Sequence, residues 1–150
     1  MAKEIERKFL VRDKSYRPMA VKSYEIQQAY ISSDPDRTVR VRIKGSKAFL
    51  TVKTRNEGCV RNEWEFEIDV QSAMEMIDSC CGKRIHKTRY CVESSDGYIW
   101  EVDEFHGRHE GLVVAEIELP AADCSFILPS SAGEEVTGNP RYYNSSPVED

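Results

Sequence analysis

The chain opens with Glu4-Ile5-Glu6-Arg7-Lys8-Phe9-Leu10-Val11, the stretch that decides how the rest of the sequence is interpreted. Because the side chains of a β-strand alternate between its two faces, a strand here places Glu4, Glu6 and Lys8 on one side. Two acids and one base held in a row are costly unless counter-charges lie among them. The stretch therefore predicts a strand whose charged face contacts both a cation and an anion.

The composition is that of an ordinary globular domain. With 150 residues, of which 40% are hydrophobic and 31% charged, we expect a single domain over residues 1–150. The net charge of -5 argues against binding to nucleic acid or to a membrane surface, which usually takes a basic excess. No secretory signal and no apolar stretch of about 20 residues stands out, so we expect a cytoplasmic protein. The five cysteines lack CxxC spacing, which predicts reduced packing residues.

Seven further segments alternate like the first one and are separated by turn-forming residues. A helix is predicted from its cap Asp69 through about Cys81, with Gly82 ending it. The tail after Pro120 is predicted to form one or two short helices on the outside. The predicted strands are residues 4–11, 24–31, 38–44, 48–54, 62–68, 83–92, 98–105 and 112–119.

The charged faces of these strands differ in sign from strand to strand. Taken alone, each strand is most simply explained by a charged side that faces water. A solvated surface usually mixes both signs, however, and here the signs are segregated. The basic faces carry Arg40 and Arg42, Lys53, and Lys87 and Arg89, and the acidic faces carry Glu4 and Glu6, Glu63 and Glu65, Glu101 and Asp103, and Glu116 and Glu118.

This pattern predicts a mainly β fold of the α+β class, in which an eight-stranded antiparallel β-barrel forms a polar tunnel and a few helices pack outside. An empty tunnel of this kind is unstable, because each buried ion costs on the order of several kcal/mol. Basic walls call for a polyanion, and carboxylates call for a hard divalent cation. The apolar faces then point outward, beneath the helices or a partner chain. A membrane barrel has the same polarity, but outward charges such as Arg7 argue against it.

Three histidines and one acidic residue lie outside the charged strand faces that are predicted to line the tunnel. His86 is out of phase with Lys87, and His106 and His109 lie near glycines in a predicted turn, which favours surface roles over metal binding. Glu104 follows Asp103 and points to the opposite face, which predicts a solvated charge.

The sequence resembles the CYTH family of triphosphate tunnel metalloenzymes, in particular its small bacterial tripolyphosphatases. The family signature ExExK stands here as Glu4-Ile5-Glu6-Arg7-Lys8. The match continues in order along nearly the whole chain, which makes it highly specific. Its further motifs are Gln28 with Tyr30, Arg40-Val41-Arg42, Thr51-Val52-Lys53, Arg61-Asn62-Glu63-Trp64-Glu65, Lys87-Thr88-Arg89-Tyr90, Glu101-Val102-Asp103, Glu116-Ile117-Glu118, Glu134-Glu135-Val136-Thr137 and Arg141-Tyr142-Tyr143-Asn144.

The resemblance implies a tunnel that binds a triphosphate and hydrolyses it with Mg²⁺ or Mn²⁺. The residues that it implies for gripping phosphate are Lys8, Arg40, Arg42, Lys53, Lys87 and Arg89. The residues that it implies for holding metal are Glu4, Glu6, Glu63, Glu65, Asp103, Glu116 and Glu118, with Glu4, Glu6 and Glu118 as the main site. The implied catalytic residues are Lys8, Lys87, Arg89, Glu63 and Tyr30. A carboxylate or a lysine of lowered pKa could deprotonate the attacking water, and the sequence leaves that choice open.

The expected activity is hydrolysis of inorganic triphosphate to pyrophosphate and phosphate, with a small-molecule substrate and no nucleic-acid or membrane partner. Three alternatives on the same scaffold stay open, namely class IV adenylate cyclase, thiamine triphosphatase and nucleoside triphosphatase. A polyphosphate-binding module without catalysis is a fourth, although an anion binder has little use for so many carboxylates. The oligomeric state is also left open, with a homodimer among the options.

Overall fold

A computed structural model describes residues 2–80 and 83–142 of the chain. Strands dominate it, together with a single α-helix and short 3₁₀ turns at Arg17–Met19, Gly107–His109 and Pro140–Tyr142. The described strands and helix are β1 (Ala2–Val11), β2 (Lys22–Asp34), β3 (Arg37–Lys44), β4 (Lys47–Thr54), β5 (Val60–Ile68), α1 (Val70–Cys80), β6 (Arg84–Glu93), β7 (Ile99–Phe105), β8 (Val113–Glu118) and β9 (Ala132–Glu135).

Eight strands close into an antiparallel barrel, as the sequence predicted. Their order is β5-β4-β3-β2-β6-β7-β8-β1, and pairing of β1 with β5 closes the ring. Strand β1 closes the barrel because it is long enough to pair with two different strands. Its first half pairs with β5, for example Glu4 with Arg61, and its second half pairs with β8, for example Lys8 with Glu116.

The apolar faces of the barrel strands point outward and form two covered clusters. On one side, Val41 and Ala48 pack against Ala73 and Ile77 of α1. On the other side, the cluster around Trp100 is covered by Tyr16 and by the tail segment that includes Phe126 and Ala132. The expectation of an inside-out barrel is confirmed. One of its two covers is irregular chain instead of helix.

The polar interior gives way to apolar side chains at one end. On four strands the inward-facing positions beyond the charged residues are apolar, and their side chains pack together with Tyr30. They are Leu10, Ile85, Phe105 and Val114. The Nζ atom of Lys87 lies 5.3 Å from the centre of the Phe105 ring. Among the described residues the tunnel is therefore lined by charge over only part of its length, and Lys87 lies where the charged and apolar parts meet.

The tail contains a strand where the sequence predicted only helices. Strand β9 pairs with the end of β1 that β5 leaves free, with Phe9 opposite Glu135 and Val11 opposite Ala132. The Arg7 guanidinium donates two hydrogen bonds to Glu135, at 2.7 and 2.6 Å. A four-residue strand is too short to show alternation in sequence, so its pairing partner decides it. Of the tail motif, Tyr143 and Asn144 lie outside the described residues.

Helix α1 begins where its cap predicts. The Asp69 carboxylate accepts a hydrogen bond from the Ser72 backbone N–H at 3.0 Å, which satisfies one of the free donors of the first turn. The predicted end at Cys81 and Gly82 lies outside the described residues. No helix in the described ranges is long and apolar enough to cross a membrane.

Glu104 is buried, so the prediction of a solvated charge was wrong. It lies on the outward face of β7, where the Tyr16 hydroxyl donates to its Oε2 at 2.5 Å. The Arg17 guanidinium donates to both carboxylate oxygens at 2.6 Å. These contacts hold the pKa of Glu104 below its usual value, with the Arg17 hydrogen bond as the main cause. The phase of Glu104 was predicted correctly, but the segment that folds over it comes from about 90 residues earlier in the chain.

Replacing Glu104 by alanine should destabilise the protein by about 2 kcal/mol, because charge-assisted hydrogen bonds to a buried carboxylate are lost. For a chain of this size the loss corresponds to a fall in Tm of about 6 °C. Thermal unfolding followed by circular dichroism measures it, with Glu110→Ala at an exposed loop position as the control. Equal melting temperatures for the two variants would show that the Tyr16–Glu104–Arg17 contact does not stabilise the fold.

Candidate active site

A cavity of about 170 Å³ lies inside the barrel, and each of the eight barrel strands contributes to its wall. The side chains that line it are mainly charged, as the phase of the strands predicts. They are Glu4, Glu6, Lys8, Tyr30, Thr38, Arg40, Arg42, Lys44, Phe49, Lys53, Arg61, Glu63, Glu65, Arg89, Glu101, Glu116 and Glu118. The structure thus brings together every predicted site residue except Lys87 and Asp103, which are buried outside this lining.

The basic wall centres on Arg40 and Arg42 of β3. Both side chains are buried, yet neither is fully paired within the described chain: Arg40 Nη2 lies 3.7 Å from Glu65, and Arg40 Nε has no hydrogen-bond partner. Arg42 Nε donates to Gln28 Oε1 at 2.8 Å, a neutral partner. Burial, and then the like charges of Arg40 and Arg89, lower the pKa of Arg42 to about 10. Buried guanidinium groups with unused donors are suited to bind an anion.

Glu4 is held by cations across the cavity. Lys53 Nζ donates to its two carboxylate oxygens at 3.1 and 2.9 Å, and Arg61 Nε lies 3.6 Å away. Burial alone would raise the pKa of Glu4, but Lys53 and then Arg61 keep it below its usual value. Lys53 also lies 3.3 Å from Glu63. A cation that approaches Glu4 therefore competes with Lys53 for its oxygens.

A second group of acids lies between β1 and β8. The strand register sets Glu6 opposite Glu118 and Lys8 opposite Glu116. Burial, then Glu116 and Glu4, raise the pKa of Glu6 well above its usual value. Burial, then Glu4 and Glu101, also raise the pKa of Glu118. Glu116 behaves differently, because despite its burial Lys8, Arg89 and Lys87 hold its pKa well below the usual range.

This acid group fits a hard divalent cation. Carboxylate oxygens are the ligands that Mg²⁺ and Mn²⁺ prefer, and the mutual repulsion of Glu6, Glu118 and their neighbours is what such a cation relieves. Within residues 2–80 and 83–142, no three acidic, histidine or cysteine side chains are placed to hold a metal ion by themselves. Mg²⁺ usually binds through one or two carboxylates plus substrate phosphates and water, so an open arrangement of acids is suitable for it.

Lys87, Asp103 and Arg89 form a buried ion cluster beside the cavity. Lys87 Nζ lies 2.6 Å from Asp103 Oδ2, and Arg89 donates to both Asp103 oxygens at 2.8 and 2.9 Å. Arg89 and Lys87 lower the pKa of Asp103 strongly despite its burial. Burial beside Phe105, opposed in part by Asp103, lowers the pKa of Lys87 to about 7. Asp103, a residue that the family resemblance implied for metal binding, instead has these two cations as its partners here.

Five residues of the lining were not among the predicted site residues, namely Thr38, Lys44, Phe49, Arg61 and Glu101. Arg61 lies in the same phase of β5 as Glu63 and Glu65, so the alternation itself could have identified it. Thr38 shares the phase of Arg40 in the same way. Phe49 shares the phase of Lys53, but an aromatic residue gives no sign of lining a charged cavity.

In the metal-free protein, Glu6→Gln should raise stability. The raised pKa of Glu6 means that the folded state favours the neutral carboxyl, so stability is lost as pH rises above 4.5, the usual value. Glutamine stays neutral at every pH and removes that loss. We expect a gain on the order of 1 kcal/mol at pH 8, or roughly 3 °C in Tm, and little difference at pH 4.

Thermal unfolding in the presence of a chelator, at several pH values, measures this gain. Glu93→Gln, at the exposed last residue of β6, is the matched control and should show no such trend. A Glu6→Gln protein that is less stable than the parent throughout the pH range would contradict the repulsion argument.

Comparisons with known proteins show which family the chain belongs to. A family model described as CYTH domain matches residues 2–147. The inorganic triphosphatase of Acetivibrio thermocellus is 48% identical over 149 residues, which cover 99% of this chain and 94% of that protein. The inorganic triphosphatase of Nitrosomonas europaea is 35% identical over 144 residues, which cover 94% and 93%. The crystal structure of the inorganic triphosphatase NE1496 is similar with a TM-score of 0.68 at 34% identity, over 95% of each chain.

Proposed function

The chain belongs to the CYTH domain family, and on this basis we propose that it is a metal-dependent enzyme that hydrolyses inorganic triphosphate to pyrophosphate and phosphate. The observation that carries the proposal is the cavity, where buried arginines with unused donors face a group of carboxylates that repel one another. A polyanion accepts hydrogen bonds from the arginines, and a divalent cation bound with it neutralises the carboxylates.

The basic wall binds the phosphate groups in this proposal. Arg40 and Arg42 supply fixed donors from β3, and Lys8 and Lys53 supply point charges from β1 and β4. Arg89 is held in place by Asp103, so its guanidinium is oriented before substrate arrives. Phosphoryl transfer depends mostly on positioning and on stabilising charge, and fixed cations of this kind supply both.

The acid group holds the metal in this proposal. Glu6, Glu118 and Glu4 form the main site, with Glu116, Glu63 and Glu65 nearby, and the cation is Mg²⁺ or Mn²⁺. When bound, the ion neutralises phosphate oxygens and lowers the pKa of a bound water. Asp103 was implied as a further ligand, and its contacts support a positioning role for Lys87 and Arg89 instead.

Two groups are candidates for taking the proton of the attacking water. Glu63 lines the cavity, and burial together with Glu4 raises its pKa, which makes the carboxylate a better base. Lys87, whose pKa lies at about 7, is partly neutral near physiological pH but is buried beside the cavity. Tyr30 lines the cavity and accepts a hydrogen bond from Gln28 at 2.9 Å, which orients its hydroxyl towards the phosphates in this proposal.

An organic triphosphate is the second candidate substrate. Phe49 lines the cavity and gives it one aromatic surface that an inorganic chain does not need. A nucleobase or thiamine ring could pack there. The substrate panel below therefore also tests for nucleoside triphosphatase, thiamine triphosphatase and adenylate cyclase activity.

We also propose a cytoplasmic location and small-molecule substrates only. The three cysteines with described side chains, Cys59, Cys91 and Cys124, are free thiols, which is usual in a reducing compartment. Homodimer formation stays a prediction.

A substrate panel tests the proposal. Purified protein is given inorganic triphosphate, pyrophosphate, longer polyphosphate, ATP and thiamine triphosphate, each with Mg²⁺, with Mn²⁺ and with chelator. Released phosphate and cyclic AMP are both measured. We expect metal-dependent release of phosphate from inorganic triphosphate as the fastest reaction. Cyclic AMP formation, or faster turnover of an organic triphosphate, would overturn the substrate assignment, and binding without turnover would indicate a polyphosphate-binding module.

A further inference from the structure

A second cluster of metal-binding side chains lies on the outer surface of the barrel. It consists of Glu25, His86, Thr88 and His106, and we refer to it as the outer cluster. His86 and Thr88 alternate along β6 with Lys87 and Arg89, which point into the barrel interior. The outer cluster is therefore separated from the cavity by the thickness of the sheet, and it plays no part in the proposed hydrolysis.

The fold brings these residues together from three neighbouring strands. Glu25 of β2 lies opposite Thr88 of β6 in the strand register. His106 directly follows β7, and its backbone N–H donates to the His86 carbonyl at 2.9 Å. Adjacent strands are only about 4.8 Å apart, so the four side chains must share one patch of surface.

The donor atoms of the outer cluster already lie close to one another. His86 Nε2 is 2.8 Å from Glu25 Oε1, and Thr88 Oγ1 is 2.8 Å from Glu25 Oε2. His106 Nε2 is 2.7 Å from Thr88 Oγ1, and the two imidazole rings have centroids 4.9 Å apart. The Glu25 carboxylate thus contacts the His86 Nε2 atom directly and the His106 Nε2 atom through the Thr88 hydroxyl.

From this arrangement we propose that the outer cluster binds a transition-metal ion of the zinc class through His86, His106 and Glu25. Two imidazoles and one carboxylate are a suitable ligand set for Zn²⁺, and water completes the tetrahedron. Tetrahedral bonds of about 2.1 Å set ligand atoms roughly 3.4 Å apart, so the His86 and Glu25 donors need to separate by less than about 1 Å. Both side chains are exposed, which leaves them room to rotate.

Zinc binding requires the side chains of the outer cluster to rearrange. Over the described ranges, no three histidine, cysteine or acidic side chains already surround a common point as ligands do, and the imidazoles are occupied by hydrogen bonds. Binding replaces those hydrogen bonds with bonds to the metal. The proton that each Nε2 donates is released or moves to Nδ1, so each bound ring is neutral and carries its proton on Nδ1. The outcome is a cross-link between β2, β6 and the end of β7, directly behind Lys87 and Arg89.

The histidines themselves provide the test. The chain has three, and the third, His109, lies in the Gly107–His109 turn with its ring against Phe105. Full-length ¹⁵N-labelled protein is titrated with Zn²⁺ in the presence of excess Mg²⁺, and imidazole nitrogen shifts are followed by NMR. We expect large Nε2 shifts for His86 and His106 and none for His109. Zinc that binds tunnel carboxylates does not give this signature, because none of the residues lining that cavity is a histidine.

Variants complete the experiment. The double variant His86→Gln and His106→Gln should bind one zinc ion fewer than the parent by isothermal titration calorimetry. Glu25→Gln should weaken this zinc binding by at least about tenfold, since even substitutions that only support a ligand cost 10- to 100-fold. His109→Gln is the matched control and should bind zinc like the parent.

Circular dichroism confirms that each variant is folded, which is expected because the replaced side chains are exposed or half-buried. Unchanged His86 and His106 signals on addition of zinc would overturn the proposal. Equal zinc stoichiometry in the double variant and the parent would also overturn it. Neither result depends on triphosphate hydrolysis, so this proposal and the proposed function succeed or fail separately.

Discussion

Replacing Arg40 by alanine should lower kcat/KM for inorganic triphosphate by about 10²- to 10³-fold, the usual loss when one fixed donor to developing charge is removed. Arg40 is 5% exposed, its Nε has no partner among the described residues, and its nearest acid is 3.7 Å away. Its Nη2 makes only long contacts, 3.3 Å to Thr51 Oγ1 and 3.7 Å to Glu65, so this guanidinium keeps donor capacity for a ligand. Alanine removes that charge and its donors from the basic wall.

Arg37→Ala is the matched control for this variant. Arg37 lies on the same strand, but it is largely exposed and paired with Asp34 at the surface. Phosphate release under initial-rate conditions and a thermal melt should be recorded for both variants. Arg40→Lys should lie between alanine and the parent, because lysine restores the charge but not the two-pronged donor geometry. If Arg40→Ala and Arg37→Ala are equally active, Arg40 does not bind substrate.

Glu6→Gln should reduce metal-dependent turnover by about 10²-fold or more, because a metal ligand supplies several kcal/mol of charge stabilisation. Glu6 lies opposite Glu118 across the β1–β8 pair, where both carboxyls have raised pKa values. Glutamine keeps the shape of the side chain but removes its charge. The same variant should be more stable than the parent without metal, so its loss of activity cannot be explained by unfolding.

Metal titrations separate the two effects of Glu6→Gln. Calorimetry with Mn²⁺ should show weaker binding in the variant, and the metal concentration that gives half-maximal rate should rise. Glu93→Gln should match the parent in both measurements, since Glu93 is exposed at the end of β6 and does not line the cavity. Full turnover by Glu6→Gln at the metal concentration that half-saturates the parent would contradict the assignment of the main metal site.

These two expected results have a common cause in the energetics of the barrel. The cavity keeps like charges near one another and leaves buried donors unused, and both features cost stability in the ligand-free protein. The fold can hold them because the apolar faces outside the barrel are buried separately, against α1 on one side and the tail segment on the other. Binding energy from the polyanion and its cation is then available for catalysis, because it relieves interactions that folding alone leaves unfavourable.

Strict alternation made most of this predictable from the sequence. In β3, Arg40 and Arg42 alternate with Val39, Val41 and Ile43, so the two faces of the strand can be assigned without any knowledge of its neighbours. The same rule gave the phase of Glu6, Glu63 and Glu118. What the rule did not give was the partner of each charge. Asp103 and Glu116 are both inward-facing acids, yet one is enclosed by Lys87 and Arg89 while the other lines the cavity.

The irregular parts of the chain were the least predictable. Strand β9 exists because β5 leaves an edge of β1 free, and Glu104 is buried because the Tyr16–Arg17 segment folds over it. The apolar end of the barrel is a similar case. Leu10, Phe105 and Val114 each share the inward phase of their strand, but only closure of the barrel shows that they meet there.

The sequence by itself determined which face of each strand is charged, because the two-residue period of a β-strand is a local property of the chain. From the opening stretch Glu4 to Val11 onward, that was enough to predict the barrel and most of the residues inside it. The tertiary structure decided which charges neutralise one another and which stay available, since this depends on strand register and on distances between residues far apart in the chain. For the same reason only the folded barrel places Lys87 beside Phe105, where its pKa falls to about 7, and brings His86 and His106 together on the opposite surface.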